Sequence, residues 1–152
     1  MKSVYYVLDE IRDHLRANGI TNTVSFGDLA EIDTDKTDIF PLVHMDIETA
    51  TPRGSVMEFR LLILGIGMVD QNYATEPIDE FYGGSNLHDV YNEQLYVLND
   101  LIEHLRRGDL WDGNIRLVDA PELAPFENRF DNLLAGWGGT ITIQLPNEVN
   151  IC

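Results

Sequence analysis

The sequence predicts a two-layer α+β sandwich, in which two long helices pack on one side of a mainly antiparallel β-sheet with a long hairpin. Segments 3–18 and 86–107 carry apolar residues at helical spacing. Segments 40–49 and 55–69 resemble strands separated by a short turn, which is typical of an antiparallel hairpin. Because each helix has one apolar face, the sheet is expected to supply the complementary layer. The 152 residues are expected to form one domain, 1–152.

The first predicted element is a helix over residues 3–18, which Ser3 can cap. Its apolar stripe consists of Val4, Val7, Leu8, Ile11 and Leu15. A short strand is expected at Thr23–Phe26, followed by a loop or a single helical turn over Asp28–Asp38. This polar stretch separates the first helix from the hairpin.

The hairpin follows from residue alternation, which places successive side chains of a strand on opposite faces. In segment 40–49 one face carries Val43, Met45 and Ile47, and the other carries His44, Asp46 and Glu48. Residues Thr51–Gly54 are expected to form the turn. The second strand alternates at first, but Leu61–Met68 is apolar on both faces, so this half must be covered on both sides.

Residues 70–85 have the composition of a loop, but the segment is long and partly apolar. Loops of this length are usually functional or disordered, so the segment is predicted to be an extended loop or arm. Its aromatic residues Tyr73, Phe81 and Tyr82 are candidates for contacts with a partner.

The second helix is predicted over 86–107, with Asn86 as its cap and two arginines in its last turn. A strand near Ile115–Val118 follows, and residues 126–134 are expected to form a strand or an irregular turn. The residues Ala135–Gly139 are expected to form a glycine-rich corner before a last strand at Thr140–Leu145.

The charge balance excludes several functions. The chain has 10 Lys and Arg against 26 Asp and Glu, a net charge of −16, and no basic residue lies between Arg60 and Arg106. Sequence-independent binding to nucleic acids needs clustered Lys and Arg, so neither DNA binding nor an anionic membrane is favoured. The longest apolar run, Leu61–Val69, is too short to span a bilayer. The one cysteine, Cys152, cannot form an internal disulfide, which suits a reducing compartment.

One strand face could bind a metal ion. His44, Asp46 and Glu48 could ligate a divalent cation together with one further ligand. The alternative is a solvated strand face whose acids are balanced by Arg53 and Arg60, and this alternative is favoured. Single alanine replacements at the three positions are then expected to leave the fold unchanged. No catalytic or phosphate-binding motif is present, so the prediction is a protein without enzymatic activity, cofactor or metal.

Two parts of the chain are candidates for a subunit interface. Aromatic residues cluster before the last strand and form either a core corner or a contact between subunits, since aromatics are enriched at interfaces. The second apolar face of Leu61–Met68 is covered either by a neighbouring subunit or by the segment Phe126–Trp137 folding back. The candidate interface residues are Leu62, Leu64, Ile66, Tyr73, Phe81, Tyr82, Phe126, Phe130 and Trp137.

Segments Asn22–Leu29, Ile39–His44, Phe126–Trp137 and Gly138–Asn147, together with the long second helix, resemble small neck and tail proteins of tailed bacteriophages. The similarity is to tail-terminator and head-to-tail joining proteins. It implies a structural virion protein, assembled in the host cytoplasm, that forms a homo-oligomeric ring of six or twelve copies. Such a ring would sit at the head–tail junction or the tail end.

The resemblance further implies that neighbouring neck or tail proteins are partners and that DNA passes through the channel without specific binding. An acidic channel wall would repel the DNA and let it slide. Two other functions stay open: a protein-binding adaptor that acts through the 70–85 loop, and a small metal-dependent enzyme built on His44, Asp46 and Glu48.

Overall fold

A computed structural model of the chain describes residues 4–28, 39–70, 81, 85–107, 115–127 and 133–147. Within these residues the protein is a mixed α+β domain with two helices and a six-stranded, mostly antiparallel sheet. The helices are α1 (Val4–Ala17) and α2 (Leu87–Arg107). The strands are β1 (Thr23–Phe26), β2 (Leu42–Arg53), β3 (Val56–Met68), β4 (Arg116–Val118), β5 (Leu123–Glu127) and β6 (Leu134–Pro146).

The strand order of the sheet is β1-β2-β3-β6-β4, and β5 also pairs with β6. Strand β1 runs parallel to β2, and the other pairs are antiparallel. Strands β3 and β6 pair from Val56 opposite Pro146 to Met68 opposite Leu134, so they form the centre of the sheet. Because β3 occupies one edge of β6 throughout, β4 and β5 must share its other edge.

The predicted sandwich of two long helices on a sheet is wrong. Strands make up 46% and helices 33% of the described residues. Only α2, with 21 residues, lies across the central strands β3 and β6, whereas α1 packs against α2 and the edge strand β1. Between the helices, His14 stacks on His104 with 3.9 Å between ring centroids. The apolar stripe of α1 predicted its burial correctly, but a stripe does not specify which element covers it.

The sheet has two differently covered faces. The face toward the helices, called here the helix face, carries the larger core, which includes Leu61 and Ile63 of β3. The opposite face, called here the second face, carries a smaller cluster of buried residues formed by Leu42, Leu64, Ile66 and Leu134. Ile39, Phe40, Leu62, Met68 and Phe126 pack against this smaller cluster. Both faces of the apolar half of β3 are therefore covered, as its sequence required.

The hairpin of β2 and β3 is longer than the sequence indicated. The predicted turn at Thr51–Gly54 is wrong, because β2 continues through Arg53 and only Gly54 and Ser55 form the loop. Gly54 has φ 67°, which suits the glycine at the first position of a two-residue hairpin loop. The register shifts between Ile47 and Thr49, so Glu48 is the extra residue of a β-bulge.

The predicted glycine-rich corner at Ala135–Gly139 is also wrong, because these residues lie inside β6. Gly136 packs so closely on the backbone of Gly65 that a Cβ atom would clash with the Gly65 carbonyl oxygen. A Cβ on Gly138 would clash with the side chain of Leu64. The glycines therefore provide space for neighbouring groups in a straight strand, which is a known role of glycine in sheets.

Candidate subunit interface

The predicted interface residues do not form one surface. Leu62, Leu64, Ile66 and Phe126 lie on the second face of the sheet, whereas Trp137 lies on the helix face. Phe81 is 87% exposed and belongs to neither cluster. Tyr73, Tyr82 and Phe130 lie outside the described residues.

Leu64 and Ile66 are covered by their own subunit. Their exposed fractions are 4% and 1%, and Phe126 of β5 packs against the same cluster. Ile39 and Phe40 pack on it as well, so the subunit's own residues cover this cluster. The expected folding back of the segment Phe126–Trp137 is not what covers it, because β5 lies in the sheet beside β6 and Trp137 lies on the helix face. Leu64 and Ile66 therefore have little exposed area left for contact with a neighbouring subunit. Leu62 differs from them, because it is only half-buried.

Trp137 ties the central sheet to α2. Its indole Nε1–H donates a hydrogen bond of 2.9 Å to the Tyr91 carbonyl oxygen. The rings of Trp137 and Tyr91 also meet edge to face, with centroids 6.0 Å apart and an angle of 64° between planes. Both the N–H group and the ring of Trp137 therefore make contacts inside the subunit. In the described part of the aromatic segment, Trp137 thus has a packing role.

The two ends of the 70–85 segment are held together. The Asn86 backbone N–H donates to the Asp70 carbonyl oxygen at 3.3 Å, and the Asp70 N–H donates to Asn86 Oδ1 at 2.6 Å. Asn86 Nδ2 also donates to the Met68 carbonyl oxygen at 3.4 Å. The described bonds of the Asn86 side chain therefore go to the end of β3, and the predicted capping role passes to Ser85, whose Oγ accepts from Leu87 N–H at 3.4 Å.

His44 is a buried hydrogen-bonding residue, which corrects the predicted solvated strand face at this position. It is 1% exposed, and its Nε2 lies 2.8 Å from the Gly27 carbonyl oxygen, which can only accept, so Nε2 carries a proton. Its Nδ1 lies 2.8 Å from Ser25 Oγ. Both ring nitrogens are thus engaged in linking β1 to β2.

The other two residues of the candidate metal site differ in burial, because Asp46 is half-buried and Glu48 is exposed. Among the described residues, no three His, Cys, Asp or Glu side chains are grouped so that they could hold a metal ion.

The outer edge of β2 beyond β1 was not predicted from the sequence. Strand β1 pairs only with Leu42–Met45, so no described strand pairs with the outer edge of Asp46–Arg53.

Around the hairpin the second face becomes polar. Arg53 Nε lies 3.3 Å from Glu58 Oε2, and Gln144 Nε2 donates a hydrogen bond to the same oxygen at 3.1 Å. The second face therefore has an apolar half that is covered and a polar half near the hairpin.

Two further surfaces carry exposed large apolar side chains. Tyr5 and Phe26 line a groove between α1 and β1 with a cavity of about 170 Å³. Leu95 and Tyr96 stand on the outer side of α2. The helical pattern could have indicated the second pair, because Leu95 and Tyr96 fall outside the buried stripe of α2.

In comparisons with known proteins, neither a protein-family model nor a curated sequence matched the chain. Among the helices that the structure describes, none has the length and apolarity needed to cross a membrane.

Proposed function

We propose that the protein is a structural subunit that assembles with copies of itself into a ring at the head–tail junction or tail end of a tailed bacteriophage. The resemblance to tail-terminator and head-to-tail joining proteins supplies the biological setting. The structural observation that carries the self-assembly is the outer edge of β2 over Asp46–Arg53, along which no strand of the described residues pairs.

An open strand edge favours pairing with another chain, because its N–H and C=O groups form a template for a further strand. Eight residues are enough for a full strand contact, since strands are typically about 5–6 residues long. The bulge at Glu48 and the proline at Pro52 restrict which strands can pair here. Bulges and prolines of this kind suppress indiscriminate aggregation while leaving a specific contact possible.

The two edges of the sheet differ, which favours a ring over a simple dimer. One edge consists of β1 and the outer part of β2, and the other consists of β4 and β5 along β6. If the first edge of one copy meets the second edge of the next, the contact is head-to-tail. Head-to-tail contacts of identical subunits close into rings when their rotation permits.

The net charge of −16 suits a channel through which DNA must move. A basic wall would bind the phosphate backbone through counterion release, whereas an acidic wall repels it. Neighbouring neck or tail proteins would then attach to the two ends of the ring, and the protein itself would need no catalytic group.

The test is a variant that blocks the outer edge of β2 without disturbing β3. Pro52, which has no N–H, is accommodated opposite Met57, so its position faces away from the β3 ladder. Alternate residues of an antiparallel strand direct their N–H groups to the same side, so the N–H of Ala50 also points outward. Ala50→Pro should fold like the wild type but lose assembly, whereas the control Ala50→Val should keep both.

Assembly is measured by native mass spectrometry and by electron microscopy of negatively stained particles, and folding by circular dichroism. The proposal requires rings of the wild type and of Ala50→Val, and monomers of Ala50→Pro. Rings of Ala50→Pro would show that another surface joins the subunits. A wild type that stays monomeric at every concentration tested, and is missing from purified virions by mass spectrometry, would overturn the proposed function itself.

A further inference from the structure

An open cavity of about 300 Å³ lies where the end of β3, the start of α2 and the residues before β2 meet. Its volume is at the lower end of the range for small-molecule sites, roughly 300–1,000 Å³. The residues that line it include Phe40, Gly67, Met68, Asn86, Val90 and Glu93. The proposed ring contact uses the outer edge of β2, so this cavity is a separate feature.

The walls of the cavity are apolar, and the fold holds them in place. Phe40 and Met68 are half-buried, because they pack against the smaller cluster of the second face and also line the cavity. Val90 lies so close to Gly67 that a Cβ atom at Gly67 would clash with the Val90 side chain. A ligand with an apolar body would therefore contact packed side chains and the backbone of β3.

Among the described residues that line the cavity, Glu93 is the only charged one. It is exposed, and no described residue forms an ion pair or a side-chain hydrogen bond with it. The Asn86 side chain is already used, because its Oδ1 accepts from the Asp70 N–H and its Nδ2 donates to the Met68 carbonyl oxygen. The cavity thus combines apolar walls with one carboxylate that lacks a cation.

We propose that this cavity binds an alkylammonium ion, whose ammonium group pairs with the Glu93 carboxylate and whose alkyl chain lies along Phe40, Met68 and Val90. Hydrogen bonds between an ammonium group and a carboxylate are stronger than those between neutral groups. The face of an aromatic ring such as that of Phe40 also attracts cations. Because the chain has a net charge of −16, its electric field concentrates cations and repels anions.

The start of α2 does not reverse this preference. A helix N-terminus carries roughly half a positive charge, which favours anions. Asp89 lies in the first turn of α2, and Glu93 lies one turn further along the helix. Two full negative charges outweigh the partial positive charge of the helix end, so the cavity is suited to a cation.

Two-dimensional NMR of the backbone amides tests the proposal on the wild-type protein. The probe is n-butylammonium, titrated at constant ionic strength, and its neutral and anionic counterparts are n-butanol and butyrate. The proposal requires saturable shifts at Gly67, Met68 and Val90 with n-butylammonium and little response to the other two compounds. Equal binding of n-butanol would overturn the proposal, and so would shifts that spread over all acidic surfaces without saturation.

A matched pair of variants tests the role of the carboxylate. Glu93→Gln keeps the shape of the side chain and removes its charge, and it should weaken the binding of n-butylammonium about tenfold. The control Glu122→Gln makes the same replacement at an exposed position before β5, outside the described lining of the cavity, and should change the affinity by less than about twofold. Circular dichroism verifies that both variants fold, and equal loss of binding in both would overturn the proposal.

Two further probes distinguish the sources of an alkylammonium group. Putrescine represents a free diamine, and the amide of acetylated lysine represents a lysine side chain of another protein. Tighter binding of putrescine supports a free diamine as the ligand, whereas tighter binding of the lysine derivative supports a lysine side chain. If none of the ammonium probes binds to the wild type, the proposal is overturned, while the ring proposal stands because its assembly assay is independent.

Discussion

Asn86, at the start of α2, and Asp70, two residues after β3, hold each other by two hydrogen bonds of 3.3 and 2.6 Å. This pair fixes where the central strand ends and where the long helix begins, although the 70–85 segment lies between them in the chain. Next to this pair, Val90 in the first turns of α2 packs over Gly67 of β3.

Replacement of Asn86 by alanine removes two side-chain hydrogen bonds, to the Asp70 N–H and the Met68 carbonyl oxygen. We expect Asn86→Ala to lower the free energy of unfolding by about 1–2 kcal/mol, measured by urea denaturation. Asn92→Ala, at an exposed position of the same helix, is the control and should change it by less than about 0.5 kcal/mol. Equal stability of the two variants would contradict the structural role of Asn86.

His44 gives a second prediction, and it differs from the expectation based on sequence. Because its ring is buried and both nitrogens link β2 to β1, His44→Ala should lower the free energy of unfolding by about 2–4 kcal/mol. Glu48→Ala, on the same strand but exposed, should change it by less than about 0.5 kcal/mol. Denaturant unfolding of both variants makes the comparison, and a His44→Ala protein as stable as Glu48→Ala would refute the assignment.

The sequence predicted local features well because they depend on residue spacing. The stripe of α1 identified Val7, Leu8, Ile11 and Leu15, and all four are buried. Alternation also predicted the two hairpin strands, although the turn lies at Gly54 and Ser55 and not over Thr51–Gly54. The same alternation predicted that His44 lies on the opposite face of the sheet from Val43, although it did not predict that His44 is buried.

The features that the sequence did not predict depend on contacts between distant residues. The burial of His44 requires β1, which is paired across 19 residues of chain. Ala135–Gly139 resembled a corner because glycine is common in turns, but the closeness of Gly136 to the Gly65 backbone is visible only once β3 and β6 are paired. For the same reason the sequence did not indicate that Leu64 and Trp137, two of the candidate interface residues, lie on opposite faces of the sheet.

Leu64 provides a third prediction, which concerns the second face. Because Leu64 is 4% exposed inside its own subunit, Leu64→Asp places an unpaired carboxylate in an apolar cluster and should unfold the subunit or lower its stability by several kcal/mol. Thr49→Asp, exposed and in register with Arg60 on the polar half of the same face, should fold normally. Circular dichroism and urea denaturation distinguish the two. A folded, soluble Leu64→Asp monomer would show instead that this position lies in a subunit contact.

Gln94 is the basis of a fourth prediction, in which a substitution should stabilise the protein. Gln94 is 1% exposed, and neither atom of its amide has a hydrogen-bond partner among the described residues. A buried polar group without a partner reduces stability by about 1–3 kcal/mol. Gln94→Met keeps the volume and removes the polar atoms, so it should raise the free energy of unfolding, whereas Gln94→Glu should lower it. A destabilised Gln94→Met protein would indicate that the amide is hydrogen-bonded in solution, for example to a buried water molecule.

Tyr91 gives a prediction for alkaline pH. Burial raises the pKa of the Tyr91 phenol above its usual value of 10.0, and the negative charge of Glu127 raises it further. The folded protein therefore holds this proton more tightly than the unfolded chain does. Its contribution to stability is complete below the unfolded pKa near 10.0 and decreases as the pH rises above that value. Thermal unfolding measured between pH 8 and pH 11 should consequently show a smaller alkaline loss of stability in Tyr91→Phe than in the wild type. Tyr96→Phe, an exposed tyrosine of the same helix, is the matched control and should retain the alkaline loss of the wild type, so an equal reduction in both variants would contradict the role of burial at Tyr91.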